Sequence, residues 1–156
     1  MNKEKIAFIP RQYLAVIAVL LAIMMSVLDG TIMNIALPTL AHDFDVTPST
    51  AIWIVNAYQL VITMTLLSFA SLGDIYGYRR IFLIGISIFV GASLACTLST
   101  SFWMLTAARV IQGFGAACVM SVNTALIRLI YPPQILGRGM GVNAMVVAAV
   151  SYTHLR

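Results

Sequence analysis

The sequence predicts an all-α transmembrane protein with four complete membrane-spanning helices and part of a fifth. Three observations lead there. Apolar residues make up 61% of the 156 residues and charged residues only 9%, where a soluble domain carries about a quarter. Four stretches each reach the roughly 20 mostly apolar residues needed to cross a hydrocarbon core. The lysines and arginines also cluster on alternate loops, the distribution of a multi-pass chain with its basic loops inside.

The elements follow in order. Residues 1–12 carry Lys3, Lys5 and Arg11 and read as a cytoplasmic N-terminus. The first span runs from about Tyr13 to Leu37, with Pro38 expected to stop it. Its basic start resembles a signal peptide, but the apolar run is too long, contains Asp29 and is followed by further spans, so no cleavage is expected. Thr47-Pro48-Ser49-Thr50 reads as a turn and helix cap ahead of the second span, about Ile52 to Leu72. The third covers roughly Ile81 to Leu98 and the fourth roughly Phe102 to Ile127. Tyr131-Pro132-Pro133 forces a loop, and a fifth helix starts near Gly137 and still runs at Val150. The bundle thus occupies 13–150, and its short connections predict antiparallel neighbours.

Charge sets the expected orientation. Lys3, Lys5 and Arg11 precede the first span, Arg79 and Arg80 separate the second from the third, and Arg128 and Arg138 separate the fourth from the fifth. The alternate loops, Pro38 to Thr50 and Ser99 to Ser101, hold no lysine or arginine. The N-terminus is therefore expected in the cytoplasm, in a cytoplasmic (inner) membrane.

The same reading excludes several functions. The net charge of +4 comes from topology; no basic patch alternates with aromatics, so no nucleic-acid partner is expected. His42, Asp43 and Asp45 read as a solvated external loop, not a metal site. Cys96 and Cys118 lack metal or redox spacing and read as small core residues. There is no H-E-x-x-H, glycine-rich phosphate loop or histidine cluster, so an enzyme, a cofactor site and a metal site are not expected.

Polar residues inside apolar spans carry the functional signal. Arg109 cannot shed its proton and is costly at membrane depth unless paired or wetted. On the fourth span Arg109, Gln112, Ala116 and Asn123 follow helical spacing, and on the second Asn56, Gln59 and Thr63 do so. Such stripes turn toward other helices or a wet cavity, and Asn56, Gln59, Thr63, Gln112 and Asn123 are the cavity candidates. Plain interhelical hydrogen bonding is the alternative. Gly113, Gly115 and Ala117 permit close helix contact. Asp29 lies eight residues before Leu37, ~12 Å, and Arg109 seven residues after Phe102, ~10 Å, so the two charges are expected at one level in the outer half. A carboxylate beside a cation can bind a proton in a way that depends on helix position. A static charge pair joining the two helices is the competing reading.

Three stretches then resemble one family in order. LDGTIMNIALP (28–38), ASLGDIYGYRRIF (70–82) and LTAARVIQGFGAA (105–117) are similar to the outer first-helix, loop and fourth-helix motifs of the major facilitator superfamily. The first looks most like its drug:proton antiporter branch with fourteen helices. The loop pattern is met at Leu72, Asp74, Gly77 and Arg79, while Ala70 replaces its first glycine and Ile75 and Tyr78 its optional basic residues. The resemblance implies a proton-coupled efflux carrier for small molecules, driven by the proton gradient without a cofactor. It implies Asp29 and Arg109 in proton coupling, and Asp74, Gly77, Arg79 and Arg80 in a cytoplasmic gating loop. The family's glycine-proline motif should follow soon after Val150, but residues 151–156 read SYTHLR and match nothing in it. The expectation is an N-terminal fragment with a truncated or chimeric end, lacking the C-terminal helices of its parent. Its partners are then a small-molecule substrate and the lipid bilayer. The alternatives are a carrier for another solute, such as an organic acid or sugar, and a nontransporting membrane assembly subunit.

Overall fold

Four helices, α1 (Glu4–Asp43), α2 (Pro48–Tyr76), α3 (Tyr78–Thr97) and α4 (Phe102–Ile130), follow one another with short turns between them. The computed structural model describes residues 4–130 and five further helical positions, Gly137, Gly141, Ala144, Met145 and Ala148. The Tyr131-Pro132-Pro133 loop, most of the fifth span, Arg138 and the tail 151–156 lie outside the described residues. Every regular element among the described residues is helical. Each helix contains a stretch long and apolar enough to cross a membrane: Ile17–Asp43, Pro48–Tyr76, Tyr78–Thr97 and Phe102–Asn123. Leu67, Met64 and Leu94 are among many large apolar side chains left exposed, as a lipid-facing or helix-facing surface requires. Trp53 and Trp103, both exposed, open α2 and α4 at the same end of the bundle, where an aromatic belt would lie.

The first helix differs most from expectation. It starts at Glu4 and passes through Pro38 to Asp43. Proline removes one backbone donor, but unwinding the chain would leave several backbone groups unpaired in an apolar medium, so continuing the helix costs less. The added turns also pack: Leu40, Phe44 and Val46 lie against the buried cluster of Ile54, Phe102 and Leu105. The end is a Schellman-type cap. Val46 N–H donates to the Ala41 carbonyl at 3.0 Å and Asp45 N–H to that of His42 at 3.2 Å. Asp45 takes the left-handed conformation this requires, φ 51°. His42 and Asp43 therefore occupy the last helical turn, not a loop, with His42 Nδ1 3.7 Å from Asp43 Oδ1. At 40 residues, α1 is ~60 Å long, about twice the hydrocarbon thickness. Its basic N-terminal turns must project beyond the core.

The other ends are closer to the sequence reading, each helix running somewhat longer. Thr47 caps α2 by accepting from Thr50 N–H at 3.3 Å, with Pro48 in the first turn where its missing donor is harmless. Gly77 separates α2 from α3 with φ +91°, a conformation other residues resist. Ser101 opens α4, its hydroxyl accepting from Met104 N–H at 3.3 Å. Because α4 reaches Ile130, Arg128 belongs to its last turns and not to the following loop.

The fourth helix is the centre of the bundle. It packs along α2 and α3, whereas α1 touches α2 and α4 less extensively. Small residues allow this. A methyl on Gly115 would lie 2.6 Å from the Phe89 backbone nitrogen, and one on Gly85 2.6 Å from Cys118 Cβ, so α3 and α4 meet almost backbone to backbone. Gly113 serves a different neighbour: a Cβ there would sit 3.0 Å from the Tyr58 carbonyl oxygen of α2. Ala116 and Ala117 are fully buried with Tyr58, Ile62 and Phe89. Gly113, Gly115 and Ala117 thus secure two interfaces, not one.

Candidate functional site

Arg109, 1% exposed, is the largest side chain fully buried among the described residues. Its Nη1 donates to Asp29 Oδ2 at 2.6 Å and to Gln112 Oε1 at 2.6 Å. Gln112 sits one turn further along α4, so its Nε2 reaches back to Asp29 Oδ1 at 3.0 Å. Both carboxylate oxygens are therefore held by α4, one by a charged donor and one by an amide, in bonds stronger than neutral ones. Asp29 keeps 21% of its side chain exposed while its partner is sealed. The two charges meet directly, at one level of the bundle, as the sequence reading expects.

A half-open cavity of about 290 Å³ adjoins the pair, between α1, α2 and α4. Its polar lining is Ser26, Thr31 and Asn34 from α1, Tyr58 and Gln59 from α2, and Arg109 itself. Of the five cavity candidates, only Gln59 lines this space. Gln112 lies behind it, binding the carboxylate. Asn123 is buried further along α4. Asn56 and Thr63 are exposed and outside the lining, with the Thr63 hydroxyl donating to the Gln59 carbonyl at 2.8 Å. The reason is rotational: the lining face of α2 runs through Val55, Tyr58, Gln59 and Ile62, to one side of the Asn56–Thr63 stripe.

The sequence reading missed several participants. Ser26, Gly30 and Asn34 repeat every four residues on α1 and line the cavity together with Thr31; helical spacing would have found them. Tyr58 went unnoticed because a tyrosine in an apolar run reads as core. Its ring lies over the guanidinium, 4.9 Å from centroid to Cζ. Cys96 is also more than a filler: its thiol donates to Gln112 Oε1 at 3.7 Å. Cys118 is buried among Val119, Val122 and Phe82, as a small core residue should be.

The second group of candidates lies at the α2–α3 turn. Asp74, Gly77, Arg79 and Arg80 are all exposed. Asp74 accepts a hydrogen bond from the Tyr78 hydroxyl. Neither Arg79 nor Arg80 forms an ion pair among the described residues; the pairs there are Asp29–Arg109 and His42–Asp43. The loop thus brings Asp74 to Tyr78, not to Arg79.

Membrane-length helices packed round a sealed guanidinium, which pairs with a partly exposed carboxylate and borders a polar-lined cavity, define a multi-pass membrane protein. The chain belongs to the Major Facilitator Superfamily, whose family model matches residues 19–152. It is 57% identical over 143 residues to the uncharacterized transporter YebQ of Escherichia coli (strain K12), covering 92% of this chain and 31% of that protein. It is similar at 35% over 137 residues to the riboflavin transporter RibZ of Clostridioides difficile (strain 630), covering 88% and 30%. To the drug efflux pump JefA of Mycobacterium tuberculosis (strain ATCC 25618 / H37Rv) it is 39% identical over 142 residues, covering 90% and 28%. The chain spans less than a third of the length of these relatives.

Proposed function

We propose that the chain is the N-terminal part of a proton-coupled carrier that exports small molecules across the cytoplasmic membrane, in the drug:proton antiporter branch with fourteen helices. One observation carries this reading: the Asp29 carboxylate is bound on both oxygens by α4 yet stays partly exposed beside a cavity. A proton on Asp29 cancels the charge that holds Arg109, and the contact between α1 and α4 weakens. Loss of the proton restores it. A helix contact that depends on a proton is the element a coupled carrier needs, because only a state-dependent interaction can shift a conformational equilibrium. The energy comes from the proton gradient and no cofactor enters. The residues lining the cavity from α1, α2 and α4 form one wall of the substrate path, and the remaining helices of the longer parent supply the other. Asp74, Gly77, Arg79 and Arg80 act at the cytoplasmic side as a gate, in keeping with the basic-loop asymmetry that puts the N-terminus inside. Efflux is favoured by the first-helix motif LDGTIMNIALP and by the kinship with JefA.

The kinship with RibZ favours a second reading, a carrier for a different organic solute on the same coupling site. Full-length protein in proteoliposomes under an imposed pH gradient separates the two, with ethidium and riboflavin as probes. Gradient-driven ethidium movement that is lost in Asp29→Asn supports the efflux reading. Movement of riboflavin alone supports the second. An Asp29→Asn variant that moves its probe like wild type shows Asp29 to be structural only.

A further inference from the structure

Tyr58 has no part in the coupling scheme so far, yet it is the aromatic partner of the buried charge. Its ring is 4% exposed and stacks on the Arg109 guanidinium at 4.9 Å. Only one of that group's three nitrogens is hydrogen-bonded: Nη1 serves both Asp29 and Gln112, whereas Nε and Nη2 are buried without a hydrogen-bond partner among the described residues. So incompletely solvated a cation needs other compensation, and a desolvated cation gains most from an aromatic face. The stack is fixed by backbone packing. The Tyr58 carbonyl oxygen rests 3.0 Å from the Cβ position that Gly113 leaves empty, one turn along α4 from Arg109. That close approach sets the height of α2 so that the ring covers the guanidinium.

We infer that Tyr58 is a positioning residue for proton coupling, holding Arg109 in place while Asp29 carries a proton. The inference rests on the reading of Asp29 as the coupling carboxylate. With Asp29 ionised, the carboxylate neutralises most of the guanidinium charge and the ring adds little. With Asp29 protonated, only neutral groups face the guanidinium: the carboxyl oxygen left to Asp29, Gln112 Oε1 and the ring. The ring therefore stabilises the protonated arrangement more than the ionised one. The titratable and charged groups around this point are Asp29 from α1, Tyr58 itself from α2, Cys96 from α3 through Gln112, and Arg109 from α4.

The test uses the full-length protein and whichever probe, ethidium or riboflavin, the wild type moves. The pH dependence of transport is compared for Tyr58→Phe, Tyr58→Leu and Tyr58→pentafluorophenylalanine. Fluorination removes the negative ring face with little change of shape, so this variant stays informative even where the leucine variant folds poorly. The midpoint of the pH dependence in Tyr58→Phe should match that of wild type, because the ring face is kept. The leucine and fluorinated variants should need a proton concentration about threefold higher for half-maximal transport, a displacement of about half a pH unit. A fluorinated variant that matches Tyr58→Phe at every pH, beside an inactive Asp29→Asn control, overturns the inference alone. A control that transports normally overturns the coupling reading and the inference with it.

Discussion

Arg109 cannot lose its charge, so whatever surrounds it must compensate in every state of the protein. In the present state Asp29, Gln112 and the Tyr58 ring do so. Removing one partner of a buried ion pair costs about 3–5 kcal/mol, most of it from the charge left behind. Arg109→Ala also empties the space of the largest fully buried side chain and strips Asp29 and Gln112 of their donor, so it should lower both the yield and the melting temperature of the full-length protein more than Asp29→Asn, which keeps an acceptor oxygen for the guanidinium. Comparing expression level and thermal melting of the two variants checks this; an Arg109→Ala that melts no lower than Asp29→Asn would overturn the expectation. At the α2–α3 turn, Asp74→Asn keeps a partner for the Tyr78 hydroxyl but removes the charge. The gating reading expects a transport rate about tenfold lower (roughly 1.4 kcal/mol on the barrier) with probe binding retained, measured in proteoliposomes and by equilibrium binding. Equal transport would leave these charges a topological role only. At this scale the sequence was informative wherever a charge interrupted an apolar run. Asp29 and Arg109 stand out for that reason. Tyr58 and Cys96 do not, because nothing local marks an aromatic ring or a thiol as the neighbour of a charge from another helix.

Between elements, the decisive contacts involve small residues on α4. Gly115 and Gly85 let α3 and α4 touch, whereas Gly91, also on α3, has nothing within 4 Å of a would-be Cβ. Gly115→Ala and Gly85→Ala should each destabilise the full-length protein by about 1–3 kcal/mol, the usual cost of overpacking. Gly91→Ala should be neutral or stabilising by up to about 1 kcal/mol, because alanine is the better helix former. Thermal melting in detergent distinguishes them, and an unaffected Gly115→Ala would show that the interface yields easily. Helix number and order could be read from hydropathy. The end of α1 could not: the proline rule describes the local loss of one hydrogen bond, and the continuation past Pro38 depends on Leu40 and Phe44 finding Ile54 and Phe102.

As a whole, α1, α2 and α4 present polar and charged groups to a cavity that the described residues only partly enclose. Such groups are costly against lipid. These 156 residues expressed alone should therefore show no substrate-dependent proton flux in liposomes and should oligomerise or be degraded. Flux that disappears in Asp29→Asn would instead point to a working assembly of short chains. The orientation is tested in the full-length protein with Cys96 and Cys118 replaced by alanine. A membrane-impermeant maleimide should label Ser49→Cys in intact cells but not Ile75→Cys; labelling of the latter would reverse the topology.

Composition, hydropathy and the placement of basic residues settled the membrane class, the helix order and the charges worth noticing, because each depends on residues adjacent in the chain or on one face of a single helix. The identity of the partners was settled elsewhere. That Asp29 receives both Arg109 and Gln112, that Tyr58 covers the guanidinium, and that Gln59 lines the cavity while Asn56 and Thr63 do not all depend on how far each helix is rotated and shifted against the next. Those rotations and shifts come from contacts such as Gly115 on Phe89 and Gly113 on Tyr58. Such contacts exist only once the helices have packed.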